Sequence, residues 1–76
     1  MNKDRRERGQ KVIDLITDAN ALLAEIADEE QSYFDEMPEN LQAGERGERA
    51  EEVATELLES SDTLTEIIST IEGAIE

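Results

Sequence analysis

The sequence predicts an all-α fold: two long amphipathic helices folded into an antiparallel, coiled-coil-like hairpin, which pairs with a second copy as a four-helix bundle. Three observations carry this expectation. Apolar residues recur at heptad spacing in both halves of the 76-residue chain. A short segment holding Pro38 and Gly44 separates the halves. The apolar stripe on each helix is also wider than a single partner helix covers.

In the first half, Val12, Ile16, Ala19, Leu23, Ile26, Tyr33 and Met37 follow steps of four and three, with Glu30 as the one polar intruder. Such steps place side chains on one face of an α-helix. The first helix is expected over about residues 4–36, opened by Asp4 with Glu7 three positions on, the arrangement of a capping box. The turn follows at about residues 37–44. Pro38 biases Met37 away from helical geometry, and Gly44 suits the start of the next helix. The second helix, about residues 45–74, repeats the pattern with Ala50, Ala54, Leu57, Leu64, Ile68, Ile71 and Ile75, Ser61 being its intruder. Residues 1–76 thus form one domain, and so short a link forces the helices antiparallel. Gly9 and Gly47 each lower helix propensity by about 1 kcal/mol relative to alanine, so both helix starts are expected to fray.

Register follows from arithmetic. Facing residues whose numbers sum to 80 would pair Val12 with Ile68, Ile16 with Leu64, Leu23 with Leu57 and Ile26 with Ala54, and would put Ala19 and Ser61 in one layer. A sum of 87, one heptad away, keeps the same faces together. The sum of 80 is favoured because it sets Arg5 beside Ile75 and the basic start of the chain near Glu72 and Glu76, carboxylates that sit unfavourably at a helix C-terminus. The expected core or dimer residues are therefore Val12, Ile16, Leu23, Ile26, Leu57, Leu64, Ile68 and Ile71. Leu15, Leu22, Val53 and Ile67 flank this stripe on one side, and Ile13, Phe34 and Leu58 on the other. A hairpin alone leaves these flanks in water, and a symmetric dimer covers them.

Composition points the same way. Apolar residues make up 37% of the chain, against about 45–50% in an average globular domain. A chain this small needs a staple or a partner. With no cysteine and no histidine, disulfides and common zinc sites are excluded, leaving oligomerisation. Serine and threonine hydroxyls have no histidine to activate them. The carboxylates lack the Glu-x-x-His pattern of di-metal bundles, and no Gly-rich phosphate loop follows a strand. A non-enzymatic protein without cofactor, metal or small-molecule substrate is expected.

Seven basic residues stand against 21 acidic ones, a formal charge of −14. The first eleven residues carry +3, through Lys3, Arg5, Arg6, Arg8 and Lys11 against Asp4 and Glu7, and the remainder carries −17. A body this acidic repels phosphate, which argues against direct binding to nucleic acid or to anionic membranes. No run approaches the ~18 apolar residues of a membrane span and no apolar leader stands at the start, so a cytoplasmic location is expected.

The acidic residues are themselves periodic. Glu45, Glu52, Glu59 and Glu66 stand seven apart on the outer face of the second helix, and Asp14, Asp28 and Asp35 take the matching position on the first, flanked by Asp18, Glu25 and Glu56. Seven helical residues span about 10.5 Å, so these rows set negative charges along a rod. A partner protein with a basic groove for DNA or RNA is one surface that such rows fit. A solvated face that keeps the bundle soluble is the plainer reading, in which the protein is a structural or adaptor dimer binding an unknown protein partner.

The turn and its flanks, Asp28-Glu29-Glu30-Gln31, then Phe34-Asp35-Glu36-Met37-Pro38-Glu39-Asn40-Leu41-Gln42 and Glu45-Arg46-Gly47-Glu48, resemble a group of small acidic helical-hairpin proteins of phages and mobile elements. The resemblance covers about 25 residues around the turn and carries over no site residues. It implies a bacterial host cell and, by analogy with anti-CRISPR proteins, an inhibitor of a host nuclease or defence complex, to which the acidic rows add nucleic-acid mimicry as the mode of action.

Overall fold

The computed structural model describes all 76 residues, of which 68 are helical and none lies in a strand. Helix α1 runs Lys3–Asp35, the single-turn α2 Glu39–Gln42, and α3 Glu45–Ile75. α1 and α3 lie against each other as a hairpin measuring 58 × 15 × 13 Å. Its radius of gyration is 17.2 Å, where a compact domain of this length has about 11 Å. The protein is a rod, one layer of two helices thick.

The start of α1 differs from the expected capping box. Asn2 caps the helix: its side-chain oxygen accepts from the Arg5 backbone N–H at 2.8 Å, and its carbonyl accepts from Arg6 N–H at 3.0 Å. Asp4 lies in the first turn, where its charge complements the helix dipole, and it binds Arg8 at 2.9 Å. Asparagine takes the cap because its amide oxygen reaches the free N–H groups while its backbone stays extended. At the other end, the Gln42 side-chain amide donates to the Phe34 carbonyl at 3.0 Å, a second bond to a group that also accepts from Met37 N–H at 3.1 Å. Pro38 precedes α2, and Gly44 caps α3 as expected, its carbonyl accepting from Glu48 N–H at 3.0 Å.

On α3 the buried or half-buried positions are Gly47, Ala50, Val53, Ala54, Leu57, Ser61, Leu64, Ile68, Ile71 and Ile75, the expected stripe with Gly47 and Val53 added. α1 departs from expectation. Ile16, Leu23, Glu30 and Met37 face inward, but their companions are Ile13, Asn20, Ala27 and Phe34 rather than Val12, Ala19, Ile26 and Tyr33. Val12 and Ile26 are exposed, so the expected pairs Val12–Ile68 and Ile26–Ala54 do not form the seam.

Advancing one column by one residue also moves the register. Gly9 meets Ile75, and Asn20 bonds both Ser61 and Thr65, pairs whose numbers sum to 84, 81 and 85, between the two expected values. Ile75 therefore lies beside Gly9 rather than Arg5. The ion pairs are Arg8–Asp4 and Arg49–Glu52, each within one helix, so the basic start of α1 does not bridge to Glu72 or Glu76.

The physical reason for the rotation lies near the turn. Ala27 and Ala54 are completely buried, Ala50 nearly so, and Gly47 is enclosed as well. Small side chains let two helices approach closely, and turning Ala27 inward where Ile26 was expected makes that approach possible. Gly47 is thus a packing residue, enclosed against the Gln42 backbone. Gly73 is the opposite case, with nothing within 4 Å of where a Cβ would stand. Gly73→Ala should raise stability by up to ~1 kcal/mol, read as a melting temperature a few degrees higher by circular dichroism; a lower one would mean that the C-terminal turn needs its glycine.

Asn20 carries both side-chain hydrogen bonds between α1 and α3. Its amide donates to Thr65 Oγ1 at 3.2 Å, and its Oδ1 accepts from Ser61 Oγ at 2.6 Å. A polar residue hydrogen-bonded across a mostly apolar seam fixes register at some expense of stability. Asn20→Leu should therefore raise the melting temperature while multiplying or broadening the amide signals in a 1H–15N spectrum as registers mix. A lower melting temperature with an unchanged spectrum would contradict this role.

Candidate functional site

The rotation of α1 gives the hairpin two unlike sides. Val12, Leu15, Leu22 and Ile26 are 43, 57, 59 and 40% exposed. With Ala19 and Tyr33 they form a second stripe along α1 at helical spacing, just outside the seam. Tyr33 lines a shallow cleft with Val53, Ala50, Glu30, Glu45, Arg46 and Arg49, which places the Val53 column of α3 on the same side. Ile67, two heptads beyond Val53 and 40% exposed, continues that column. Leu41 and Met37 extend the apolar surface around the turn. Leu58 stands apart on the opposite side, beside Ala21, Ala24 and Ala27.

This apolar side has almost nothing beneath it. The buried apolar residues of the whole hairpin are Ile13, Ala27, Ala50 and Ala54, and no large side chain is fully enclosed. Of the expected core residues, Ile16, Leu23, Leu57, Leu64, Ile68 and Ile71 are half-buried and Val12 and Ile26 exposed. Burial of apolar area drives folding at about 25 cal/mol per Å², so an interior of one isoleucine and three alanines contributes little.

Charge is sorted between the two sides. Stepping by sevens from Val12, Leu15, Leu22 and Val53 leads to Arg5, Arg8, Glu29 and Arg46, and one step beyond Glu29 to Glu36. Arg49 and Glu30 line the cleft, and Glu56 follows Arg49 by one heptad. With Glu45, which lines the same cleft, four arginines and five glutamates border the apolar side and nearly cancel, and the rest of the surface carries almost all of the formal −14.

All ten acidic residues singled out from the sequence are exposed: Asp14, Asp18, Glu25, Asp28, Asp35, Glu45, Glu52, Glu56, Glu59 and Glu66. Glu52, Glu59 and Glu66 run along the outer edge of α3, and Glu45 heads that row at the rim of the Tyr33–Val53 cleft. Glu25 and Asp28 border the groove beside Leu58, on the side away from Tyr33 and Val53. Glu52 and Glu56 join Glu48 and Glu51 around one open groove. No group of three or more carboxylates converges as a cation cradle, and no helix is long and apolar enough to cross a membrane. The arrangement offers an apolar surface bordered by nearly balanced charge and a multiply negative one.

Sequence reasoning missed Asn20, and it placed Arg5 and Arg8 near Glu72 and Glu76 rather than in line with the apolar stripe. Their seven-residue spacing from Val12 and Leu15 is the signal that would have found the latter. Compared with protein families, with curated proteins and with solved structures, the chain finds no match.

Proposed function

We propose that this chain is a non-enzymatic interaction protein: two hairpins pair through their apolar sides into a four-helix bundle, and the acidic outer surface engages a basic groove on a protein partner in place of nucleic acid. The sorting of charge carries the reading. Nearly all of the excess of carboxylates lies away from the apolar side, Glu45 at the rim of the Tyr33–Val53 cleft being the exception, so covering that side leaves a rod with negative charge along its exterior. Its carboxylates recur about every 10.5 Å along each helix, a rigid array that attracts a basic surface at long range and repels nucleic acid. The resemblance to small acidic hairpin proteins of phages and mobile elements agrees with a partner in a bacterial cytoplasm, an inhibited nuclease or defence complex of the kind that anti-CRISPR proteins target.

Replacing Glu45, Glu52, Glu59 and Glu66 together by glutamine tests it. All four side chains are exposed, and the one ion pair lost, Glu52 with Arg49, lies at the surface where it contributes little, so helicity and melting should hold or improve as self-repulsion falls. Capture of DNA- or RNA-binding proteins from bacterial lysate should weaken at least tenfold, and the wild-type captures should be displaced by duplex DNA and by salt. Capture that is unchanged in the variant and insensitive to both would favour the second reading, an adaptor recognised through its turn, where Tyr33 and Leu41 are 49 and 41% exposed.

A further inference from the structure

We infer that the two copies pair with their rods antiparallel, the turn of one hairpin against the open end of the other, so that α1 packs on α1 of the second copy. This rests on the dimer proposed above and adds its geometry.

The stripe on α1 is symmetric in kind about Ala19, the midpoint of a helix that runs Lys3–Asp35. Val12 and Leu15 precede the midpoint, Leu22 and Ile26 follow it, and all four are exposed. Beyond them the chemistry is opposite at the two ends, with Arg5 and Arg8 on one side and Glu29 and Glu36 on the other. Two copies of α1 crossed head to tail near Ala19 bring the apolar segments together. The same crossing sets the arginines of each copy level with the glutamates of the other.

Two-fold symmetry leaves few alternatives. When two flat-sided rods stack face to face, the axis lies in the interface, either across the rods or along them. An axis across them makes the rods antiparallel, with α1 on α1 and α3 on α3. An axis along them makes the rods parallel and lays α1 on α3. In the parallel case Leu22 and Ile26 fall level with Thr63 and Ser60, and Glu29 with Glu56, which mismatches apolar with polar and sets like charges together. The rod measures 58 × 15 × 13 Å, so its broad side presents at most roughly 900 Å² per copy, against the ~800 Å² per partner of a stable interface. A full-length pairing therefore has enough area to hold.

The chain has no cysteine, so spin labels can be placed singly. In one variant, Asn40→Cys, the label sits on the turn; in another, Asp18→Cys, it sits on the exposed edge of α1 near its middle. Pulsed dipolar spectroscopy on each should give a turn-to-turn distance approaching the 58 Å rod length and a mid-helix distance below about half that. A short distance at both sites would overturn the antiparallel inference while leaving the dimer in place. The absence of any dipolar coupling at either site would remove the dimer itself.

Discussion

Gly47→Ala should destabilise the hairpin more than any other single methyl addition in this chain. A Cβ at position 47 would collide with the carbonyl oxygen, Cα and carbonyl carbon of Gln42. Those atoms are backbone, tied by the Gln42 N–H to the Pro38 carbonyl at 3.0 Å and by the Gln42 side chain to Phe34, so they cannot swing aside as a side-chain tip would. Alanine gains about 1 kcal/mol in helix propensity. Overpacking of this kind costs typically 1–3 kcal/mol and more where backbone must move, so the net effect is a loss. Each kcal/mol lowers the melting temperature by roughly 4–8 °C in a domain this small. Gly9→Ala is the internal control: its Cβ would lie 2.8 Å from Ile75 Cγ2, the end of a side chain beside the C-terminus that can rotate away. A thermal scan showing Gly47→Ala as stable as wild type would mean that α2 can leave α3 without consequence.

Replacing Leu22 and Ile26 together by aspartate should dissociate the dimer and, with it, most of the helical structure. Both side chains are substantially exposed in the single hairpin, so within one copy the change removes little packing. Across a closed interface each apolar side chain contributes about 1.5–3 kcal/mol, and two-fold symmetry counts every substitution twice. At half those values the loss is about 3–6 kcal/mol, at least a hundredfold in Kd, before the added charges repel one another. A variant that keeps the mass and melting behaviour of the wild type would show that this stripe is not covered by a second copy.

How far the sequence could be read depended on how sharply each residue constrains geometry. Pro38 and Gly44 act through backbone conformation alone, and the turn lies where they place it. The α3 stripe was legible because Leu57, Leu64, Ile68 and Ile71 leave one face to choose from. α1 was ambiguous because Val12 and Ile13, like Ile26 and Ala27, are adjacent apolar pairs, and heptad spacing accepts either member. Hydrophobicity favours isoleucine over alanine at 26 or 27. Close approach beside Gly47, Ala50 and Ala54 favours alanine, and packing prevailed. Asn20 was invisible for a related reason: a polar residue scores against a core position unless its partners, Ser61 and Thr65, are known to stand opposite. The acidic rows were readable as periodicity. Which side of the rod they occupy follows only once the seam is fixed.

The central claim is that a second copy covers the apolar side, and the solution mass tests it most directly. Sedimentation equilibrium at micromolar protein should give twice the chain mass of 8.5 kDa. A single species of 8.5 kDa that stays folded at that concentration would contradict it, because a hairpin with four buried apolar side chains would then be standing without a partner.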